Sequence, residues 1–89
     1  MYYIYLLKSK KDGSIYLGYT SDLQKRLADH NGEKNISTRF KIPWKLIYYE
    51  AYKSKQDATL REKRLKYHAR GMIELKKRLQ KSLDGNGEG

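Results

Sequence analysis

The sequence predicts a small α/β domain of the α+β kind, read in the order hairpin, helix, strand, helix. Three observations point there. Two tyrosine-rich runs, residues 2–7 and 15–20, flank an Asp12-Gly13 turn signal. Apolar residues then recur at helical spacing behind candidate caps at Ser21 or Asp22 and at Ser54. Finally, 38% of the 89 residues are hydrophobic, nine Tyr and one Trp among them, which is too much for a solvating tail.

Tyr2-Tyr3-Ile4-Tyr5-Leu6-Leu7 is short and aromatic, as suits a strand buried on both faces. After the turn, Ile15-Tyr16-Leu17-Gly18-Tyr19-Thr20 forms its hairpin partner. A two-residue or a four-residue loop puts Tyr3, Tyr5 and Leu7 on the same face as Tyr16, Gly18 and Thr20, and the four-residue loop sets Tyr5 opposite Gly18. A three-residue loop would separate the two tyrosines.

Residues 23–30 follow as a helix with Leu23 and Leu27 on its apolar edge, ended by Asn31-Gly32. Arg26 and His30, four residues apart, share a neighbouring face. Residues 33–43 have no periodicity and read as a loop closing at Pro43; residues 44–52 are β-prone and read as a third strand. From Ser54 the pattern is helical, and Ala58, Glu62, Leu65 and Ala69 fall on one stripe, so Glu62 sits among apolar residues. A break is expected at Gly71, before a second stripe of Met72, Leu75, Leu79 and Leu83. A single domain over residues 1–83 with a frayed tail over 84–89 is the expected organisation.

Twenty Lys and Arg against ten Asp and Glu give a net charge of +10, which favours an anionic partner, nucleic acid before acidic membrane. Nine of the basic residues lie in 61–81, against only Glu62 and Glu74, more than solubility requires. A chain this short hides only ~60–65% of its extended surface, so the core is thin and leaves little room for a deep cavity enclosing a large cofactor, and no small-molecule cofactor is expected. The absence of Cys excludes disulfides and thiol chemistry, and the two His lack zinc-ligand spacing. The apolar run at residues 2–7 is far below the roughly 20 residues that span a bilayer, and no secretory signal is visible. Cytoplasmic residence and no membrane partner are the resulting expectations.

Tyr3-Ile4-Tyr5, ten intervening residues, and Tyr16-Leu17-Gly18 resemble the paired signature of GIY-YIG nuclease domains. The resemblance extends through residues 18–23, Arg26 with His30-Asn31, residues 44–50 and Arg61-Glu62-Lys63, and so covers roughly residues 2–80. In length the chain is similar to the small stand-alone bacterial members. The resemblance implies a small three-stranded, largely antiparallel sheet flanked by helices, and metal-dependent hydrolysis of phosphodiester bonds, usually in DNA. It also implies that Tyr5, Tyr16, Arg26 and His30 are catalytic positions, that Glu62 is the ligand of one Mg²⁺ or Mn²⁺ ion, and that Gly18 lets the site close. Tyr3 and Leu17 depart from the name-giving residues, and the late Asn of many members has only Asn86 as a counterpart.

These residue types suit the chemistry. Arginine gives a planar, permanently charged donor pair to the charge that builds on phosphate oxygens. Magnesium accepts oxygen ligands and keeps several waters, so one carboxylate plus substrate is a workable site. A free Tyr titrates near ~10, and nearby cations are expected to lower that value and make Tyr5 the water-activating group, Tyr16 orienting it or exchanging roles with it. Phosphate contacts are expected from Lys25, Thr38, Arg39, Arg61, Lys63, Arg64, Lys66 and Arg70. Each assignment has a plain structural counterpart: a salt bridge to Arg26 or another Arg for Glu62, a helix cap for His30, core packing for the tyrosines. At the level of the whole chain the alternatives are a non-cleaving nucleic-acid-binding module of the same fold, and a basic ribosome- or protein-associated interaction domain.

Overall fold

The structure, a computed structural model, describes residues 1–84. Strands β1 (Tyr2–Ser9), β2 (Ile15–Thr20) and β3 (Trp44–Tyr52) form one antiparallel sheet in the order β2-β1-β3. Helices α1 (Leu23–Asn31), α2 (Lys55–Tyr67), α3 (Ala69–Arg78) and α4 (Gln80–Asp84) flank it. The first strand is therefore central, which explains why Ile4 to Leu7 are all buried. Its hairpin with β2 turns through the four-residue loop, so Tyr5 pairs with Gly18. Gly13 in that loop has φ +78°, a left-handed conformation that glycine adopts at no steric cost.

Each face of the sheet carries one layer. Ile4 and Leu6 pack with Ala58, Leu65 and Leu75 of α2 and α3. On the other face, Tyr5 and Leu7 pack with Trp44, and Leu23 and Leu27 of α1 close over them. Asp22, not Ser21, caps α1, its carboxylate accepting from the Lys25 amide at 3.1 Å. Ser54 caps α2 as expected, and the aperiodic segment contains one short 3-10 turn, Arg39–Lys41.

The helical region breaks three residues earlier than expected. His68, with extended dihedrals (φ −122°, ψ 96°), ends α2 and starts α3, while Gly71 lies in the first turn of α3 with its amide on the His68 carbonyl. The kink swings Ala69 out to solvent, so it leaves the stripe, and returns Leu75 to the core. A second interruption at Leu79 separates α3 from α4, and Asp84 is helical rather than the first residue of a tail. The remainder of that expected tail, with Asn86, lies outside the described residues. Among the described residues no helix is long and apolar enough to cross a membrane.

One polar cluster lies between the sheet and α2. Glu50 of β3 accepts from Arg61 Nε and Nη2 at 2.9 and 3.0 Å and from the hydroxyls of Tyr48 and Tyr52, each at 2.5 Å. Burial pushes the Glu50 carboxyl up, but Arg61 and the two phenols pull harder and hold it below the ordinary value. Burial and the adjacent carboxylate push Tyr48 and Tyr52 up to about 12. Glu50→Gln is expected to lose about 1–2 kcal/mol, the pair being partly solvated, as measured by chemical denaturation. A carboxyl held low stabilises the fold above its unfolded value and loses that contribution as pH falls through the folded one. Wild type is therefore expected to lose stability below about pH 4.5 more steeply than Glu50→Gln. The raised phenols act at the other end, withdrawing stability as pH rises from about 10 toward 12.

Candidate active site

Four elements deliver side chains to one cleft of about 530 Å³, lined by Tyr5 of β1, Tyr16 and Gly18 of β2, Arg26 of α1, and Glu62 and Lys66 of α2. The cleft crosses the outer edge of β2, since Tyr16 and Gly18 from one face of that strand and Ile15, Leu17 and Tyr19 from the other all line it. That geometry lets Arg26, from the helix on one face, meet Glu62, from the helix on the other. Ser37 of the long loop closes one side.

At the floor, Tyr5 is only 2% exposed. A Cβ at position 18 would overlap its ring and hydroxyl, so glycine there is a condition for the ring's position. The Tyr5 hydroxyl lies 2.9 Å from His30 Nε2, and His30 Nδ1 lies 2.8 Å from Thr38 Oγ1. Arg26, which can only donate, stands against the Tyr5 oxygen. The assignment that satisfies all partners has Tyr5 donating to Nε2 and the Nδ1–H donating to Thr38, whose hydroxyl turns toward the Asn35 carbonyl at 3.5 Å. The Thr38 carbonyl in turn accepts Trp44 Nε1 at 2.8 Å, and Tyr16 packs edge-on against His30 with ring centroids 4.9 Å apart.

Burial dominates the electrostatics here. It pushes the Tyr5 phenol up, with Arg26 pulling the other way and the charges of Tyr16 and Glu62 adding to the rise. The expectation that neighbouring cations would lower Tyr5 is therefore corrected: desolvation in the floor outweighs them. Burial, reinforced by the Arg26 charge, lowers His30 and keeps the ring neutral at pH 7. Arg26 is raised, first by its contact with Tyr5, and stays charged; its Nε is buried with no hydrogen-bond partner among the described residues. Part of its donor capacity is thus unused by the protein.

The positions expected at a phosphate are divided by the structure. Lys66 lines the cleft, and Lys63, Arg64 and Arg70 are exposed on α2 and α3. Lys25 is exposed and 3.7 Å from Asp29. Arg39 is exposed and stacks on Phe40. Two expectations are corrected: Thr38 is completely buried and spends its hydroxyl on His30, and Arg61 is fastened to Glu50. Sequence reasoning missed Glu50 altogether as a partner of α2. It also missed Asn31, whose side-chain amide exchanges two hydrogen bonds with the Trp44 backbone and ties α1 to the start of β3.

Among the described residues no three His, Cys, Asp or Glu side chains gather to hold a metal, and no ion pair engages Glu62. Glu62 is the one carboxylate among the described residues that lines the cleft. Such a donor set fits a hard divalent ion that keeps its waters and takes further oxygens from a phosphate; it does not fit one needing three or four protein ligands.

The GIY-YIG catalytic domain family matches residues 1–77. The chain belongs to that family. GIY-YIG domains act on nucleic acid, typically as endonucleases with a divalent metal. Relatives include a UPF0213 protein of Bacillus pumilus, 47% identical over 73% of this chain and 66% of its own length. Others are the UPF0213 proteins of Streptococcus pneumoniae strain R6, 41% identical over 89% of this chain and 72% of theirs, and of Streptococcus agalactiae, 44% identical over 76% and 77%. The chain spans just under two thirds of the length of the first of these curated relatives. No solved structure matches it.

Two outcomes test this geometry. Gly18→Ala forces the Tyr5 ring out of its place and is expected to lose about 1–3 kcal/mol by overpacking, together with the Tyr5–His30 hydrogen bond, read by denaturation and by the imidazole NMR shifts. A His held below its unfolded value stabilises the fold at higher pH and withdraws that contribution as pH falls below about 6.5. Wild type is therefore expected to weaken as pH falls below about 6.5, and His30→Gln to be weaker overall but without that pH-dependent loss.

Proposed function

We propose that this cleft hydrolyses phosphodiester bonds as a metal-dependent endonuclease, with DNA as substrate, Mg²⁺ or Mn²⁺ as the single ion, and the cytoplasm as its place of action. The observation that carries the reading is the meeting of Tyr5, Tyr16, Arg26 and Glu62, from four separate elements, in one cleft rimmed by Lys66. In this reading Glu62 holds the ion, which supplies Lewis-acid stabilisation of the phosphate and leaving oxygen when bound.

The remaining roles follow from where each group sits. Arg26 lines the cleft and brings its fixed charge to the equatorial phosphate oxygens. Tyr16 is half-buried at the cleft, whereas Tyr5 lies in the floor with its proton directed to His30. This supports exchanging the two tyrosines: Tyr16 takes the proton of the attacking water, and Tyr5, held by His30 and Thr38, positions Arg26. Arg26 and Lys66 line the same cleft and bring positive charge to the reacting phosphate. The water oxygen bonds to phosphorus, the bond from phosphorus to the leaving oxygen breaks with its electron pair on that oxygen, and the leaving oxygen takes a proton from solvent. Excess basic residues on α2 and α3 supply phosphate contacts without base reading, so any preference lies in the shape of the nucleic acid.

The test is incubation with supercoiled, branched and single-stranded DNA, with and without Mn²⁺. Wild type is expected to nick only with metal, and Tyr16→Phe, Arg26→Ala and Glu62→Gln each to slow nicking by about 100-fold or more. Nicking that survives Glu62→Gln unchanged would remove the mechanism, and metal-insensitive binding with no cleavage would favour the non-cleaving module.

A further inference from the structure

Outside the cleft, the segment of residues 33–41 turns two large apolar side chains to solvent: Ile36 is 78% exposed and Phe40 69%. The backbone that carries them is pinned. Thr38, between them, is buried and tied to His30 through its hydroxyl and to Trp44 through its carbonyl. The Phe40 carbonyl accepts Lys11 Nζ at 3.2 Å, and the Lys41 carbonyl accepts Ser9 Oγ at 2.6 Å. The Arg39 guanidinium sits 4.6 Å from the Phe40 ring centroid, backing one face of a ring that is otherwise open. Ser37, three residues before Phe40 in the same segment, lines the cleft.

We propose that Phe40, backed by Arg39, is a stacking platform for an unpaired nucleic-acid base beside the cleaved phosphate. The charge around it chooses the occupant. Lys34 and Arg39 have no carboxylate partner among the described residues, Glu33 is the sole acid in the segment, and the chain as a whole carries +10. An apolar protein surface docking here would have to desolvate that guanidinium, whereas a base presents a π-face to the ring and its phosphates to the cations. Plain duplex hides its base faces, so the platform is read only by nucleic acid with a base out of the stack. The proposal rests on the nucleic-acid reading above and adds what that reading lacks, a source of structural preference.

Two metal-free duplexes, identical except that one carries a single unpaired 2-aminopurine, separate the possibilities by fluorescence anisotropy and quenching. Wild type is expected to bind the bulged duplex about fivefold or more tightly than the plain one and to quench the 2-aminopurine. Phe40→Ala and Phe40→Leu are each expected to lose both effects while keeping affinity for plain duplex, and its salt dependence, within twofold; Phe40→Trp is expected to keep both. Equal binding of the two duplexes by wild type would overturn the platform and leave the nucleic-acid reading standing. Retention of the preference by Phe40→Leu would also overturn it, as would self-association of wild type that Phe40→Ala abolishes. Failure to bind either duplex would remove the platform and the underlying reading together.

Discussion

The Tyr5 ring occupies the space that any side chain at position 18 would need, and the cleft is assembled around that contact. It requires β1 to be central, β2 to pair with it in the register that sets residue 5 against residue 18, and position 18 to lack a Cβ. Once the ring is there, its hydroxyl reaches His30 on α1 and its oxygen meets Arg26 one turn earlier on the same helix. The i, i+4 spacing of Arg26 and His30 is thus the spacing needed to grip one phenol from two sides. Thr38 completes the grip from the long loop, which explains why that loop is fixed despite having no periodic pattern.

Glu62 arrives from the opposite layer, and its placement depends on a different set of contacts. Arg61, the residue before it, is clamped to Glu50 of β3 by two hydrogen bonds, while Ala58 and Leu65 seat α2 on the sheet. With Arg61 tied toward β3, the next residue is turned toward the β2 edge, where the cleft is. The two acids therefore do opposite work. Glu50 is saturated with donors and holds the helix; Glu62 has no ion-pair partner among the described residues and faces the tyrosines and Arg26. Under the proposed reading that difference separates a structural carboxylate from a metal ligand.

Most of the elements were legible because they rest on local chemistry: the Asp12-Gly13 turn, the Ser54 cap, the β-prone run of β3 and the Leu23/Leu27 edge. Tyr5, Tyr16, Gly18, Arg26 and Glu62 of the cleft were legible through the resemblance to the family signature, and Glu62 also through its place on an apolar stripe, whereas His30 lies buried behind the cleft. What escaped was set by tertiary partners. Arg61 reads as one more solvated charge until β3 brings Glu50 beneath it. Thr38 reads as a loop hydroxyl near phosphate until His30 claims it. The break at His68 is hidden in sequence because the stripe of Leu65 and Ala69 runs past it, and Gly71 is the more obvious signal. The direction of the Tyr5 shift depends on burial depth against charge distance, and only coordinates weigh those two.

The central claim is that one carboxylate, joined by the substrate's own oxygens, is enough to hold the ion in this cleft. Electron paramagnetic resonance of Mn²⁺, titrated into the protein bound to a duplex with a non-hydrolysable phosphate analogue, tests it without requiring turnover. The account predicts one tightly held Mn²⁺ per complex in wild type and its loss in Glu62→Gln. Full Mn²⁺ occupancy in Glu62→Gln would contradict it.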